Sequence, residues 1–170
     1  ESNITLEDGY YGDGIISRFL ISFSANYLMP LTDTKHEQRG ILYNRISLGT
    51  TKLNLFSVHL STYEDERILA AKELCRIISK IDSNEVIIVG GDFNDVCGSN
   101  CLSTLENKNL RDSWWFGGFG FGITYSDFNL LKFRLDHILY SEHFKCLYSE
   151  VQKENFSDHS LLISTFRIKK

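Results

Sequence analysis

A layered α/β sandwich is the architecture this sequence predicts, and three observations point to it. Short apolar runs recur along the chain at strand length, one long segment carries helical periodicity, and the run at 85–89 is apolar throughout, as a strand buried on both faces requires. The chain of 170 residues is read as one domain, residues 1–170, and its 42% hydrophobic and 24% charged residues exclude a disordered chain.

Residues 15–19 read as a short strand after Gly12-Asp13-Gly14, and the single proline, Pro30, falls in a loop. Residues 41–48 and 53–60 read as two strands of a hairpin turned through Gly49-Thr50-Thr51. In the second strand Leu53, Leu55, Ser57 and His59 share one face, and Phe56, Val58 and Leu60 the other, so His59 emerges where the strand ends. Ser61 then opens a helix, with Glu64 completing a capping box. Ala71, Leu74, Cys75, Ile78 and Ile81 follow helical spacing, while Glu66, Lys72, Glu73, Arg76 and Lys80 lie mostly on the other side. Asp82-Ser83-Asn84 stops the helix. The strand at 85–89 delivers Gly90-Gly91-Asp92-Phe93-Asn94, where the glycines allow a tight turn. Residues 101–107 read as a short helix, and 134–140 and 161–168 as further strands. The aromatic and glycine run from Trp114 to Gly122 reads as a long loop. Two readings of it stay open: packing on the sandwich edge, or a rim that stacks on a base or covers an apolar leaving group.

The formal net charge of −4 argues against a protein coated in positive charge. It favours a small or locally recognised phosphate substrate and leaves nucleic acid open. Cys75, Cys97, Cys101 and Cys146 form no Cys-x-x-Cys pair and read as free thiols of a reducing compartment. No apolar stretch approaches a membrane span, and residues 1–20 lack the order of a signal peptide. An intracellular location is the expectation.

The residues that carry chemistry sit at strand ends. Asp92 and Asn94 are one residue apart, so on an extended segment both face one side while Phe93 turns into the core. An anionic acceptor beside an amide suits a water held next to a phosphoryl oxygen. Asp136 lies inside an apolar strand, where an unpaired carboxylate costs several kcal/mol. A partner such as His159 is therefore expected, and an Asp–His pair fixes the tautomer of the imidazole. Its neighbour His137 points the other way and reads as structural; His36 and His143 are given no role. Of Asp158 and His159, one would bind a metal and the other face the phosphate. Asp92 and Asp158, Asn94, and His59 and His159 converging in this way, with Asp136 between the last two segments, suit a divalent cation and a phosphate ester.

Six stretches together resemble the endonuclease/exonuclease/phosphatase superfamily, the DNase I-like enzymes. They are Gly14-Ile15-Ile16-Ser17-Arg18, Arg39-Gly40-Ile41-Leu42-Tyr43, Ser57-Val58-His59-Leu60, Gly91-Asp92-Phe93-Asn94, Arg134-Leu135-Asp136-His137-Ile138 and Ser157-Asp158-His159, in the order of the family. The resemblance implies a four-layer α/β/β/α sandwich and Mg²⁺-dependent phosphoester hydrolysis, with Mn²⁺ as a substitute. Phosphodiesters are preferred, whether nucleic acid or a small molecule. It implies that Asp92 orients or deprotonates the attacking water and that Asn94 binds a non-bridging oxygen. Asp158 would hold the cation, with Asp92 and Asn94 at the same centre. His159, held by Asp136, would stabilise the transition state, and His59 would lie near the leaving group. Family members normally begin with a strand carrying an Asn and a second strand ending in Gln-Glu, whose Glu is the main metal ligand. Neither pattern is found here, and the expectation is an N-terminally incomplete domain. Glu1 and Glu7 do not follow such a strand; in a reduced but complete domain Glu7 would be the replacement. The competing reading is a member that only binds a phosphorylated ligand or nucleic acid. The absent Glu favours that reading, and the intact six residues oppose it.

Overall fold

The computed structural model describes residues 1–6, 8–127, 131–153 and 156–169, so Glu7 lies outside the described residues. A small hairpin, β1 (Ile4–Leu6) and β2 (Gly9–Tyr11), leads into β3 (Ile21–Leu28), β4 (Gly40–Leu48) and β5 (Thr51–His59). Helix α1 (Glu64–Ile78) crosses to β6 (Val86–Asp92), followed by α2 (Asn100–Glu106), β7 (Leu110–Asp112) and α3 (Ser113–Gly117). A pair of short strands, β8 (Tyr125–Asp127) and β9 (Leu131–Phe133), precedes β10 (Asp136–Ser141). The last pair is β11 (Phe144–Gln152) and β12 (Leu161–Ile168).

Six strands form the central sheet in the order β3-β4-β5-β6-β10-β7. β5 and β6 run parallel, which requires a crossover, and α1 supplies it. The other neighbours pair antiparallel. Strand alternation divides the side chains between two cores. Phe56 and Val58 of β5, Ile87 and Val89 of β6 and Leu139 of β10 pack with Ala71, Leu74, Cys75 and Ile78 of α1 and with Leu102 and Leu105 of α2. The intervening positions, Leu53, Val86, Ile88 and Tyr140, pack instead with Phe144, Cys146 and Phe166 of the β11–β12 ribbon. Helices, central sheet and ribbon are thus stacked layers of an α/β sandwich.

Several sequence-based expectations change here. Residues 15–19 form no strand, and Ile16 is fully exposed. The ladder of β4 is taken by residues 21–28 instead, with Ser24 opposite Asn44 and Leu28 opposite Gly40. No capping box forms: α1 begins at Glu64 behind Tyr63, without a side-chain cap. Ser61 donates its hydroxyl to Glu66 Oε2 at 2.6 Å, so it is committed one turn further on. Glu66, placed by periodicity on the polar side, is only 2% exposed. The run from Trp114 starts as helix, α3, with Asp112 at its N-cap accepting from the Trp114 N–H at 2.9 Å. The Trp114 ring is buried beneath Gly118 and Gly122, where any Cβ would strike it.

Candidate active site

Register builds the site. His59 ends β5 level with Asp92 at the end of β6, and Asp136, the first residue of β10, stands opposite Asp92 on the other side. Counting by twos, back from Tyr140 and forward from Ile88, Asp136 and Asp92 fall on the ribbon-facing side of the sheet, with His59 beside them. Three neighbouring strands therefore present three polar side chains at one level. Gly91 makes the approach possible: its φ is +143°, and a Cβ there would collide with the Val58 carbonyl.

Past the strand end, Phe93 turns into the core with no exposure. Asn94 takes φ +48°. Its N–H donates to Asp92 Oδ1 at 2.7 Å, and its Nδ2 donates to the Leu60 carbonyl at 2.8 Å. Asn94 thus locks the turns after β5 and β6 together while holding the Asp92 carboxylate.

The two histidines flank that carboxylate. His59 Nε2 lies 3.5 Å and His159 Nε2 3.8 Å from Asp92 Oδ2. His159 Nδ1 is 2.8 Å from Asp136 Oδ2, which supplies the partner that a half-buried Asp136 requires. On the other ring, Arg39 Nη1 stands 2.8 Å and Tyr11 Oη 3.0 Å from His59 Nδ1. An arginine donates only, so His59 Nδ1 accepts and its proton sits on Nε2, toward Asp92. Burial pushes the His59 pKa down, and the Arg39 charge pushes it the same way against the pull of Asp92. Burial raises the Asp92 pKa, and the nearby Asp136 charge adds to this, opposed by the Asn94 N–H.

Asp158 completes the wall. Its carbonyl accepts from the Ser126 N–H at 3.2 Å, and its side chain takes a weak 3.4 Å bond from Ser157. Arg39, His59, Asp92, Asn94, Asp136, Asp158 and His159 all line one cleft of about 770 Å³. His137 does not: it has no exposure, with Nδ1 2.7 Å from Asp112 Oδ2 and Nε2 3.1 Å from the Asp95 carbonyl. His36 lies 2.8 Å from Glu66 and stacks on Tyr63, away from the cleft. Sequence reasoning gave Arg39 no role and overlooked Tyr11. Tyr11 ends the short strand β2 among glycines and carries no local signal of the histidine it will meet.

Among the described residues no group of three His, Cys, Asp or Glu is close enough to cage a metal ion. Mg²⁺ commonly takes one or two carboxylates and fills its remaining positions with water and substrate phosphate. Asp92 and Asp158, with Asn94, fit a site of that partial kind, and a cation would relieve the repulsion between Asp92 and Asp136.

A sequence model of the Endonuclease/Exonuclease/phosphatase family matches residues 4–159. The uncharacterized protein YbhP of Escherichia coli K12 is 30% identical over 95 residues, 55% of this chain and 37% of that protein. The chain thus aligns with little over a third of the length of this curated relative. Among solved structures, mannosyl-6-phosphatase from Bacteroides thetaiotaomicron superimposes with a TM-score of 0.77 at 17% identity, over 88% of this chain and 67% of that one. An endonuclease/exonuclease/phosphatase family protein from Leptotrichia buccalis gives 0.72 at 20% identity, over 89% and 64%. Truncated TDP2 from Caenorhabditis elegans gives 0.67 at 17% identity, over 87% and 66%. At these identities the likeness is one of fold.

Proposed function

Because the chain belongs to the Endonuclease/Exonuclease/phosphatase family, we propose that it hydrolyses phosphoesters, phosphodiesters in preference, with Mg²⁺ and with Mn²⁺ as a substitute. One observation carries this reading: Asp92 stands between two imidazoles, one of them held by Asp136 at 2.8 Å, in an open cleft that also holds Asn94 and Asp158. Both a phosphatase and TDP2 share the fold, and neither decides between monoester and diester.

In this reading Asp92 accepts the proton of the attacking water, for which burial has made it a better base than an ordinary aspartate. The water oxygen forms the new P–O bond, the bond to the leaving oxygen breaks, and the proton returns to that oxygen through solvent. The second Nδ2–H of Asn94 and the Nε2–H of His159 in its imidazolium form, the ring charge faced by Asp136, meet the non-bridging oxygens as charge builds there. Asp136 keeps the His159 ring in position. His59 presents Nε2–H toward the leaving side, aligned by Arg39. Asp158, Asp92 and Asn94 would hold the cation, which when bound would withdraw charge from the phosphoryl oxygens.

The test is hydrolysis of bis-p-nitrophenyl phosphate. Turnover with Mg²⁺ and its loss in EDTA is the expected result, and Asp158→Ala should raise the Mg²⁺ concentration needed without lowering the melting temperature. Full activity in chelator would overturn the cation role. Tight binding of the diester without turnover would support the reading as a binding domain.

A further inference from the structure

Beside the cleft lies a second cavity of about 540 Å³ that the hydrolytic reading leaves unused. Trp114, Phe119, Tyr125 and Tyr148 line it, with Lys132 and Lys153 on the same wall. Tyr125 lines both cavities, so one side chain separates this space from Asp92, Asp136 and His159. Backbone bonds hold the partition to the segment that carries His159. Tyr125 bridges to His159, the Ser160 N–H donates to the Thr124 carbonyl at 2.7 Å, and the Ser126 N–H donates to the Asp158 carbonyl.

The chemistry of the lining is specific in two respects. Phe119, five residues after the buried Trp114, is 98% exposed. Trp114 is pinned by a bond from Nε1 to the Gly120 carbonyl at 3.0 Å, which fixes the loop that carries Phe119. The cavity therefore offers aromatic faces on a braced loop. Neither Lys132 nor Lys153 has an ion-pair partner among the described residues. The acid on the wall, Glu150, accepts from Tyr148 Oη at 2.9 Å. Planar faces suit a planar ring, and two unpaired ammonium groups suit a negative charge attached to it.

We propose that this cavity is the subsite for the unit flanking the scissile phosphate, an aromatic base followed by a second phosphate as in a single-stranded oligonucleotide. The proposal rests on the phosphodiesterase reading and names its substrate class. Tyr125 would stand between the base in this cavity and the reacting phosphate in the cleft. A protein of net charge −4 has no need of a basic surface for this, since recognition is confined to one pocket and two lysines.

The test uses Phe119→Ala and Lys153→Ala, both at exposed positions outside the catalytic cleft. Binding of a short fluorescein-labelled single strand is followed by anisotropy in EDTA, where turnover does not interfere. Phe119→Ala should weaken binding about tenfold, the usual loss for one stacked base, and Lys153→Ala by a roughly fivefold loss that shrinks as salt is added, as for one phosphate contact. In Mg²⁺, kcat/KM for the same oligonucleotide should fall in each variant by the factor its binding loses, with bis-p-nitrophenyl phosphate hydrolysis unchanged. Binding by the parent protein without hydrolysis would leave the subsite standing and overturn the hydrolase reading. No binding by the parent, unchanged binding by both variants, or equal losses on both substrates would overturn the subsite. Losses confined to a phosphorylated sugar would overturn the choice of a nucleotide.

Discussion

Glu66→Gln is the substitution whose outcome can be worked out most fully from the structure. Glu66 Oε1 accepts from the Thr32 N–H at 2.8 Å and the Thr32 hydroxyl at 3.0 Å, and lies 2.8 Å from His36 Nδ1. Oε2 accepts from Ser61 at 2.6 Å. The carboxylate thereby ties the loop leading to Arg39 to the turn that follows His59. Burial alone would raise its pKa, but the bonds from Ser61, Thr32 and His36 outweigh it and bring it to about 2 from an ordinary 4.5. A depressed folded-state pKa contributes stability that is complete above 4.5 and is lost as pH falls toward 2. The gap corresponds to roughly 3 kcal/mol, of which about 2 is gone by pH 3. Glutamine keeps one oxygen for Thr32 and can donate to Ser61, so the substitution removes the charge with little change of shape. At pH 7 the variant should be less stable by about 3 kcal/mol and melt roughly 6–12 °C lower. Urea unfolding from pH 7 to pH 3 should show the difference between parent and variant shrinking to about 1 kcal/mol. A difference that stays constant over that range would refute the assignment of the charge to Glu66.

His159→Ala should lower turnover by about 10²–10⁴ with melting unchanged, and Asp136→Asn should lower it in the same direction by misorienting the ring. His137→Ala should act through stability, by about 3–5 kcal/mol, because it strips one partner from buried Asp112, whose low pKa burial opposes and His137 and Arg134 enforce. Equal effects of His159→Ala and His137→Ala on turnover, at matched folding, would contradict the two faces assigned to β10. Gly91→Ala should unfold the protein or abolish turnover, since its Cβ would meet the Val58 carbonyl; a native melting curve with normal kinetics would show that β6 can shift away.

The legible parts of the molecule were those with a strong period or an unavoidable cost. The hairpin of β4 and β5, the inner face of α1 and the strand β12 follow from apolar spacing alone. The Asp136–His159 contact followed from the cost of an unpaired carboxylate in an apolar strand. What escaped notice has physical reasons. β3 alternates Ile21, Phe23, Ala25 and Tyr27 with Ser22, Ser24 and Asn26, the period of a half-exposed edge strand, a signal that the apolar run at 15–19 drew attention away from. β11 alternates Lys145, Ser149 and Glu150 with apolar residues and reads as surface. Glu66 is buried by groups far along the chain, Thr32 and His36, which no local window contains. The same holds for Arg39 and Tyr11, which reach His59 only through tertiary folding.

The shared level of His59, Asp92 and Asp136 constrains how such a protein can change over generations. A strand alternates its faces every residue, so one inserted or deleted residue within β5, β6 or β10 would send a reactive group to the helix side and a core residue to the ribbon side. Length in these strands is consequently frozen together with the chemistry. Residues 29–38 before Arg39 and 118–123 around Phe119 lie outside the ladder, and the alternation of faces sets no limit on their length. Length can vary in those segments, while the shared level of His59, Asp92 and Asp136 stays tied to three strands that cannot slip.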